Sequence, residues 1–324
     1  MQSIKRILVV IDPSEDQQVA LSRALQLAGA EPLELMLYTC VYYPVLSGNH
    51  FLSDEHIERS KQSIIQANQL KLDKLVASNS AAYLRFHTQV QWCEPIYIAI
   101  IKAARAFAAD LIIKSSHKHS ALTRTFFNST DLQLLKATEL PLLFVKATTS
   151  LLLGAANSSK VMAALDPYDE LSQKGQIDNT ILASAYRLAN QTHQALHACH
   201  CFDPSYWEVL LESVRHANIW TEVFPANSND SNLTVLDNLR LQHNQKFARE
   251  CAEFVPNSAN QHLLAGELVS TLAATVEKLG VATLVVGTSY RTGLLASKAE
   301  ELLEALNCDL LVVKPKAFES PVSP

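Results

Sequence analysis

Two aspartates open the chemical question. Asp12 closes the run Ile7-Leu8-Val9-Val10-Ile11-Asp12-Pro13, and Asp166 closes the near-copy Val161-Met162-Ala163-Ala164-Leu165-Asp166-Pro167. A carboxylate there can accept hydrogen bonds from a ribose, or it can satisfy the free amides of the following turn or helix. A second group lies in Gly287-Thr288-Ser289-Tyr290-Arg291-Thr292-Gly293-Leu294-Leu295-Ala296-Ser297-Lys298. Gly287 and Gly293 let a backbone approach a phosphate closely, Arg291 can pair with it, and Ser297 can begin a helix whose amides face an anion. Two glycines six residues apart match neither the dinucleotide fingerprint nor a P-loop, so a plain structural loop stands beside this reading. The matching stretch of the first copy, 115–130, holds no glycine; there only Asn128, Ser129 and Thr130 remain to cap the next helix and meet an anion.

Metal ligation is the third chemistry. His117 and His119 face the same way if extended, but zinc requires at least a third protein ligand. His193, His197, Cys199, His200 and Cys201 cluster around one predicted strand, with His197, Cys199 and Cys201 on one face and His200 on the other. Core thiols and a hydrogen-bonded imidazole are the alternative. No Ser-His-Asp, Cys-His or paired-carboxylate set is complete.

The elements that must position these residues alternate. In the first copy, strands are predicted at 5–11, 34–42, 84–92, 110–114 and 142–145, with helices at 15–29, 54–78, 95–107 and 131–138 between them. Gly29 is placed to cap the first helix, Ser53 and Asp54 to cap the second, and Pro95 to open the third. The second copy repeats the order with strands at 161–165, 194–201, 261–265, 282–286 and 309–313 and helices at 178–190, 234–254, 267–279 and 297–306. An irregular, aromatic insertion is expected over 203–235, with Tyr206, Trp207, Trp220 and Phe224, and a frayed tail after Pro315. This predicts an α/β protein of two tandem, open, mostly parallel five-stranded sheets with helices on both faces. The expected domains are residues 1–150 and 155–324. Ligands in such sheets sit beyond the carboxyl ends of the strands.

The bulk numbers narrow the classes. The 324 residues carry a net charge of -5, split as +2 over residues 1–150 and -7 over the rest, which argues against a general nucleic-acid binder. No run of 18 apolar residues exists and the first segment lacks the pattern of a secretory leader, so a cytoplasmic protein without a membrane span is expected. The six cysteines have no disulfide-framework spacing, and reduced thiols are expected.

The chain resembles the universal stress protein family in tandem form across residues 3–315. The residues that carry the resemblance are Ile7 to Pro13, His117-Lys118-His119, Asn128 to Asp131 with Leu134-Leu135, Gly287 to Ser289, Arg291 to Gly293, and Cys308 to Pro315. The resemblance implies strand order 3-2-1-4-5, and pairing of the two halves within the chain as a pseudo-dimer through the last strands. It also implies a role in stress survival and adaptation. Some members bind ATP through Gly-x2-Gly-x9-Gly followed by Ser or Thr. Here Tyr290 occupies the first glycine position, Gly293 the second, and the tenth residue after Gly293 is Leu303, inside a predicted helix. Asp166, and Asp12 in the first copy, match the family's adenosine-side acid.

The leading expectation is therefore a non-enzymatic stress-response and adaptation protein acting by protein contact or by sensing a small ligand. A nucleotide binder using Asp166, Gly287, Arg291, Gly293 and Ser297 is one alternative; a metal- or lipid-binding protein is the other. No cofactor is firmly expected, with ATP or zinc as candidates. The expected partners are the other half of the chain, a second copy in a homodimer, or an unidentified protein or small molecule.

Overall fold

The computed structural model describes residues 4–28, 32–46, 53–116, 129–146, 159–168, 177–217, 232–288 and 294–323. The first copy contains β1 (Arg6–Val10), α1 (Val19–Ala28), β2 (Leu33–Val41), α2 (Asp54–Asn79), β3 (Leu84–Trp92), α3 (Ile96–Ala106), β4 (Leu111–Ser115), α4 (Ser129–Ala137) and β5 (Leu142–Val145). The second contains β6 (Lys160–Leu165), α5 (Asp178–Thr192), β7 (Ala195–Phe202), α6 (Pro204–His216), α7 (Asn232–Cys251), β8 (Gln261–Ala265), α8 (Leu268–Leu279), β9 (Val281–Gly287), α9 (Leu294–Ala305) and β10 (Asp309–Val313).

The two five-stranded units are not separate sheets. They merge into one ten-stranded sheet of order β3-β2-β1-β4-β5-β10-β9-β6-β7-β8, so each copy keeps the 3-2-1-4-5 order. Every pairing within a copy is parallel, and β5 meets β10 antiparallel, with Leu143 opposite Leu311. The reason is edge satisfaction: an uncovered last strand leaves a row of amides and carbonyls unpaired. Burial follows position in the sheet. All of β5, β9 and β10 is buried, whereas the outer strand β3 has no buried residue.

Side chains reinforce the seam. Arg23 of α1 forms a buried ion pair with Asp309 at 2.6 Å. Lys146 sends its ammonium to the carbonyls of Leu303 and Leu306 at the end of α9, favourable for a cation at a helix carboxyl terminus. Gln191 of α5 donates to Leu27 O of α1 at 2.9 Å. The tail is not frayed through Ser323: Ser320 Oγ donates to Ala137 O, and Arg105 donates to Val322 O at 2.8 Å while pairing with Glu139. Val322 is buried, and its apolar contact offsets the ordering of the tail.

Several local expectations change. Residues 204–216 form α6, capped by Asp203, whose carboxylate accepts from Ser205 N; Pro204 at its first turn starts a helix where an irregular insertion is predicted. α1 starts at Val19 because residues 12–18 are held in a turn by Gln18, whose amide donates to the carbonyls of Asp12 and Glu15. Pro95 is the residue before α3, not its first turn, while Ser53 caps α2 as expected. Ser297 lies inside α9, which begins at Leu294, and so cannot be its first residue. Cys40 and Cys93 are joined as a disulfide, which corrects the expectation of reduced thiols at that pair. Parallel pairing of β2 with β3 brings together residues that are 53 apart in sequence. Gly29, Trp220 and Phe224 lie outside the described residues.

Candidate functional site

Asp12 and Asp166 do lie just beyond the carboxyl ends of β1 and β6, where an α/β sheet offers a crevice. Both serve local turns. Asp12 Oδ1 accepts from Ser14 N at 2.9 Å and Ser14 Oγ at 2.6 Å. Asp166 Oδ1 accepts from Tyr168 N at 3.3 Å, and Asp166 N donates to Asp178 Oδ1 at 3.4 Å. A turn bond of this type is the ordinary use of aspartate in such a position.

Gly287 ends β9 at the other lip. A β-carbon there would lie 2.4 Å from Ile177 Cγ1 and 2.9 Å from Ile181 Cδ1. The glycine thus admits isoleucine side chains at the amino end of α5 rather than holding its Cα face open to a phosphate. Its counterpart in the first copy is Ser115, which is buried and paired with Val145 just as Gly287 is paired with Val313. Arg291, Gly293, His117 and His119 lie outside the described residues, and of Ser297 only the helical backbone is described.

Sequence reasoning missed the side chains that build the rest of the second crevice. His200 of β7 faces Leu165 O through Nδ1 at 3.1 Å and His243 Nδ1 through Nε2 at 2.8 Å. The carbonyl can only accept, so in the neutral pair His200 carries its proton on Nδ1 and His243 must donate from its own Nδ1. Tyr168 stacks on His243 at 4.0 Å, Phe202 packs at 4.8 Å, and Lys246 lies over the Tyr168 ring at 4.2 Å. Burial pulls the imidazoles of His200 and His243 down to about 4, and the Lys246 charge acts in the same direction. The cluster is a neutral aromatic wall at ordinary pH. His243 lies on α7, and no local pattern marks it; the only sequence signal was His200 on the face opposite Cys199.

On the opposite face of the sheet His197 pairs with His262, Nδ1 to Nε2 at 2.9 Å with the rings 6° from parallel. Burial lowers His197 to about 4, with His262 and Lys160 adding to the effect. Cys199 is fully buried and its thiol is raised well above the usual range by desolvation. Among the described residues no three His, Cys, Asp or Glu side chains converge as a metal would require.

Lys314, the repeat of Lys146, donates to Thr288 Oγ1 at 2.7 Å and lies 4.7 Å from the Phe318 ring centroid. Burial lowers its ammonium to about 8. In the first copy the matching end of β4 carries Lys114 paired with Asp131 at 2.8 Å. Among the described residues, no helix is long and apolar enough to cross a membrane.

Residues 3–146 match the universal stress protein family. The whole chain is 26% identical to universal stress protein E of Photorhabdus laumondii subsp. laumondii over 327 residues, covering 99% of this chain and 98% of that protein. The same identity and coverage hold for universal stress protein E of Escherichia coli strain K12. In fold, the chain is similar to a functionally unknown protein from Pseudomonas aeruginosa PAO1, with a TM-score of 0.64 and 22% identity over 96% of this chain and 93% of that one. A universal stress protein from Archaeoglobus fulgidus shares the fold with a TM-score of 0.57 and 16% identity, over 95% of this chain and 98% of that chain.

Proposed function

We propose that the chain is a tandem member of the universal stress protein family, to which residues 3–146 match, and that it serves stress adaptation as a non-catalytic platform. It acts in the cytoplasm by contact with a protein or small ligand, and does not turn over a nucleotide. The proposed units are residues 1–150 and 155–324, working as one body. The observation that carries this reading is the approach of Ile177 to Gly287: the lip that would receive a phosphate is lined by a branched apolar side chain that leaves no room for even a β-carbon. The aromatic wall of Tyr168, His200 and His243 supports it from the other side of Asp166. A triphosphate needs several convergent amides or cations, whereas the described carboxylates here already hold turns. Because β5 and β10 pair with each other, a homodimer would use a different surface.

The test is native mass spectrometry of the full chain purified without added ligand. The expected result is the mass of the bare polypeptide. A stoichiometric nucleotide that the chain then hydrolyses, or a lipid or zinc ion retained through purification, would overturn the reading and name its replacement.

A further inference from the structure

Six cysteines are divided by the fold into two chemical classes. Cys199, Cys251 and Cys308 are buried, and desolvation lifts the thiols of Cys201, Cys251 and Cys308 to about 12. Such groups are poor nucleophiles and meet solvent oxidants slowly. Cys40 and Cys93 are different. Both are partly exposed, as Cys201 also is, but these two face each other, one on β2 and one just beyond β3, with Cα atoms 6.3 Å apart. That separation lies inside the range of about 4.4–6.8 Å that lets two cysteines bridge without backbone movement.

The second copy supplies an internal control. Cys93 N donates to Val41 O, and Gly266 N donates to Phe202 O, so Gly266 is the positional match of Cys93 and Cys201 that of Cys40. The same backbone hydrogen bond thus forms without a sulfur partner, although the chain turns differently there: Gly266 has φ 132° and Cys93 is not among the residues of positive φ.

The segment the bridge closes is thinly packed. α2 runs 26 residues yet buries only Asn68 and Leu72. β3 is an edge strand with no buried residue. Apart from Leu72 their apolar contacts with the core come from half-buried side chains, Leu75, Val76, Leu84, Phe86 and Val90; an edge element of this kind opens locally at lower cost than the inner strands, and a cross-link tying β3 to β2 restricts that opening.

We propose that Cys40 and Cys93 form a reversible thiol–disulfide site, oxidised by a hydroperoxide and reduced by a low-molecular-weight thiol, that fastens the α2–β3 edge to the sheet. In the oxidation, one thiolate attacks the distal peroxide oxygen and the O–O bond breaks. The products are a sulfenic acid and an alkoxide, which leaves as alcohol after taking up the thiol proton. The second cysteine's sulfur then attacks the sulfenic sulfur; the S–S bond forms and water leaves with its proton. In sum, two thiols and one hydroperoxide give one disulfide, one alcohol and one water. Two equivalents of thiol reverse it, leaving their own disulfide. The inference is independent of whether either crevice takes a ligand.

The full chain is treated with hydrogen peroxide or with dithiothreitol, alkylated in denaturant, and mapped by mass. Hydrogen exchange over residues 54–92 is followed on both forms. After peroxide, the expected chain is lighter by two hydrogens, with Cys40 and Cys93 unlabelled and the other four cysteines labelled. After reduction, all six label and exchange over 54–92 is at least about tenfold faster. Cys40→Ser is expected to exchange like the reduced chain and to ignore peroxide. Labelling of both cysteines after peroxide, equal exchange in the two forms, or a peroxide response that survives in Cys40→Ser would each overturn the proposal.

Discussion

At matching positions of the two copies, Thr39 and His200 both reach the carbonyl that precedes the repeated aspartate. Thr39 Oγ1 donates to Ile11 O at 3.3 Å, and His200 Nδ1 faces Leu165 O at 3.1 Å. The backbone need is the same, but the consequences diverge. A hydroxyl stops at that carbonyl. An imidazole has a second nitrogen to satisfy, and when buried it must find a partner; here His243 answers it, and Tyr168 and Phe202 close around the pair. The strands match in the two copies, and the imidazole at this position stands with a wall of aromatic side chains that the hydroxyl lacks. The crevice of the second copy is thereby built from the protein's own rings, while that of the first keeps small polar groups, Ser14 and Thr39, around Asp12.

The comparison can be tested in descending order of effect. If the copies are one folded body, the Arg23–Asp309 pair across the seam is buried and costly to break. Arg23→Leu removes the guanidinium from an inaccessible carboxylate and is expected to cost about 3–5 kcal/mol in urea unfolding; a loss near zero would mean the halves are merely tethered. Gly287→Val drives new methyl groups into Ile177 and is expected to cost about 1–3 kcal/mol, whereas the same residue at the matching Ser115, which already has a β-carbon, is expected to cost less. Equal losses at both sites would deny that the second crevice is filled.

The histidines give the copies different responses to acid. With folded values near 4 against an ordinary value of 6.5, His197, His200 and His243 bind fewer protons when folded than when unfolded. Their contribution is therefore complete above pH 6.5 and is lost as pH falls through about 4. A first proton can be taken on His243 Nε2, outside the ring–ring bond, whereas a second, on His200 Nε2, sets two N–H donors face to face beside Lys246. Unfolding followed between these values is expected to show a fall of about 1–3 kcal/mol that His243→Phe reduces. An unchanged acid slope in that variant would remove the cluster from the account. The smallest effect is Thr39→Val, which deletes one neutral hydrogen bond and is expected to cost about 0.5–1.5 kcal/mol.

The sequence made the scaffold legible because its signals are local and duplicated. Apolar runs such as Ile7–Ile11 and Val161–Leu165 are periodic, repeated, and followed by the same acid and proline, and the unpaired edges of Leu142–Val145 and Leu310–Val313 imply their meeting. The site was less legible because its partners are distant. His200 and His243 are 43 residues apart, and nothing on α7 distinguishes His243 from an exposed polar residue of a long helix. Gly287 read as open space because a glycine in sequence does not reveal what occupies the volume beside it. The disulfide was missed for a related reason: its register follows from β2–β3 pairing, not from cysteine spacing. The helix at 204–216 was masked by aromatic and charged residues, although Asp203-Pro204 carried an N-terminal signal.

Calorimetric titration of the full, reduced chain with magnesium-ATP, coupled to an assay for released phosphate, bears most directly on the claim that the second crevice is occupied by the protein's own side chains. Neither saturable heat at millimolar nucleotide nor phosphate release is expected. One equivalent of ATP bound per chain, accompanied by turnover and displacement of Ile177 or Tyr168 from their present contacts, would contradict it.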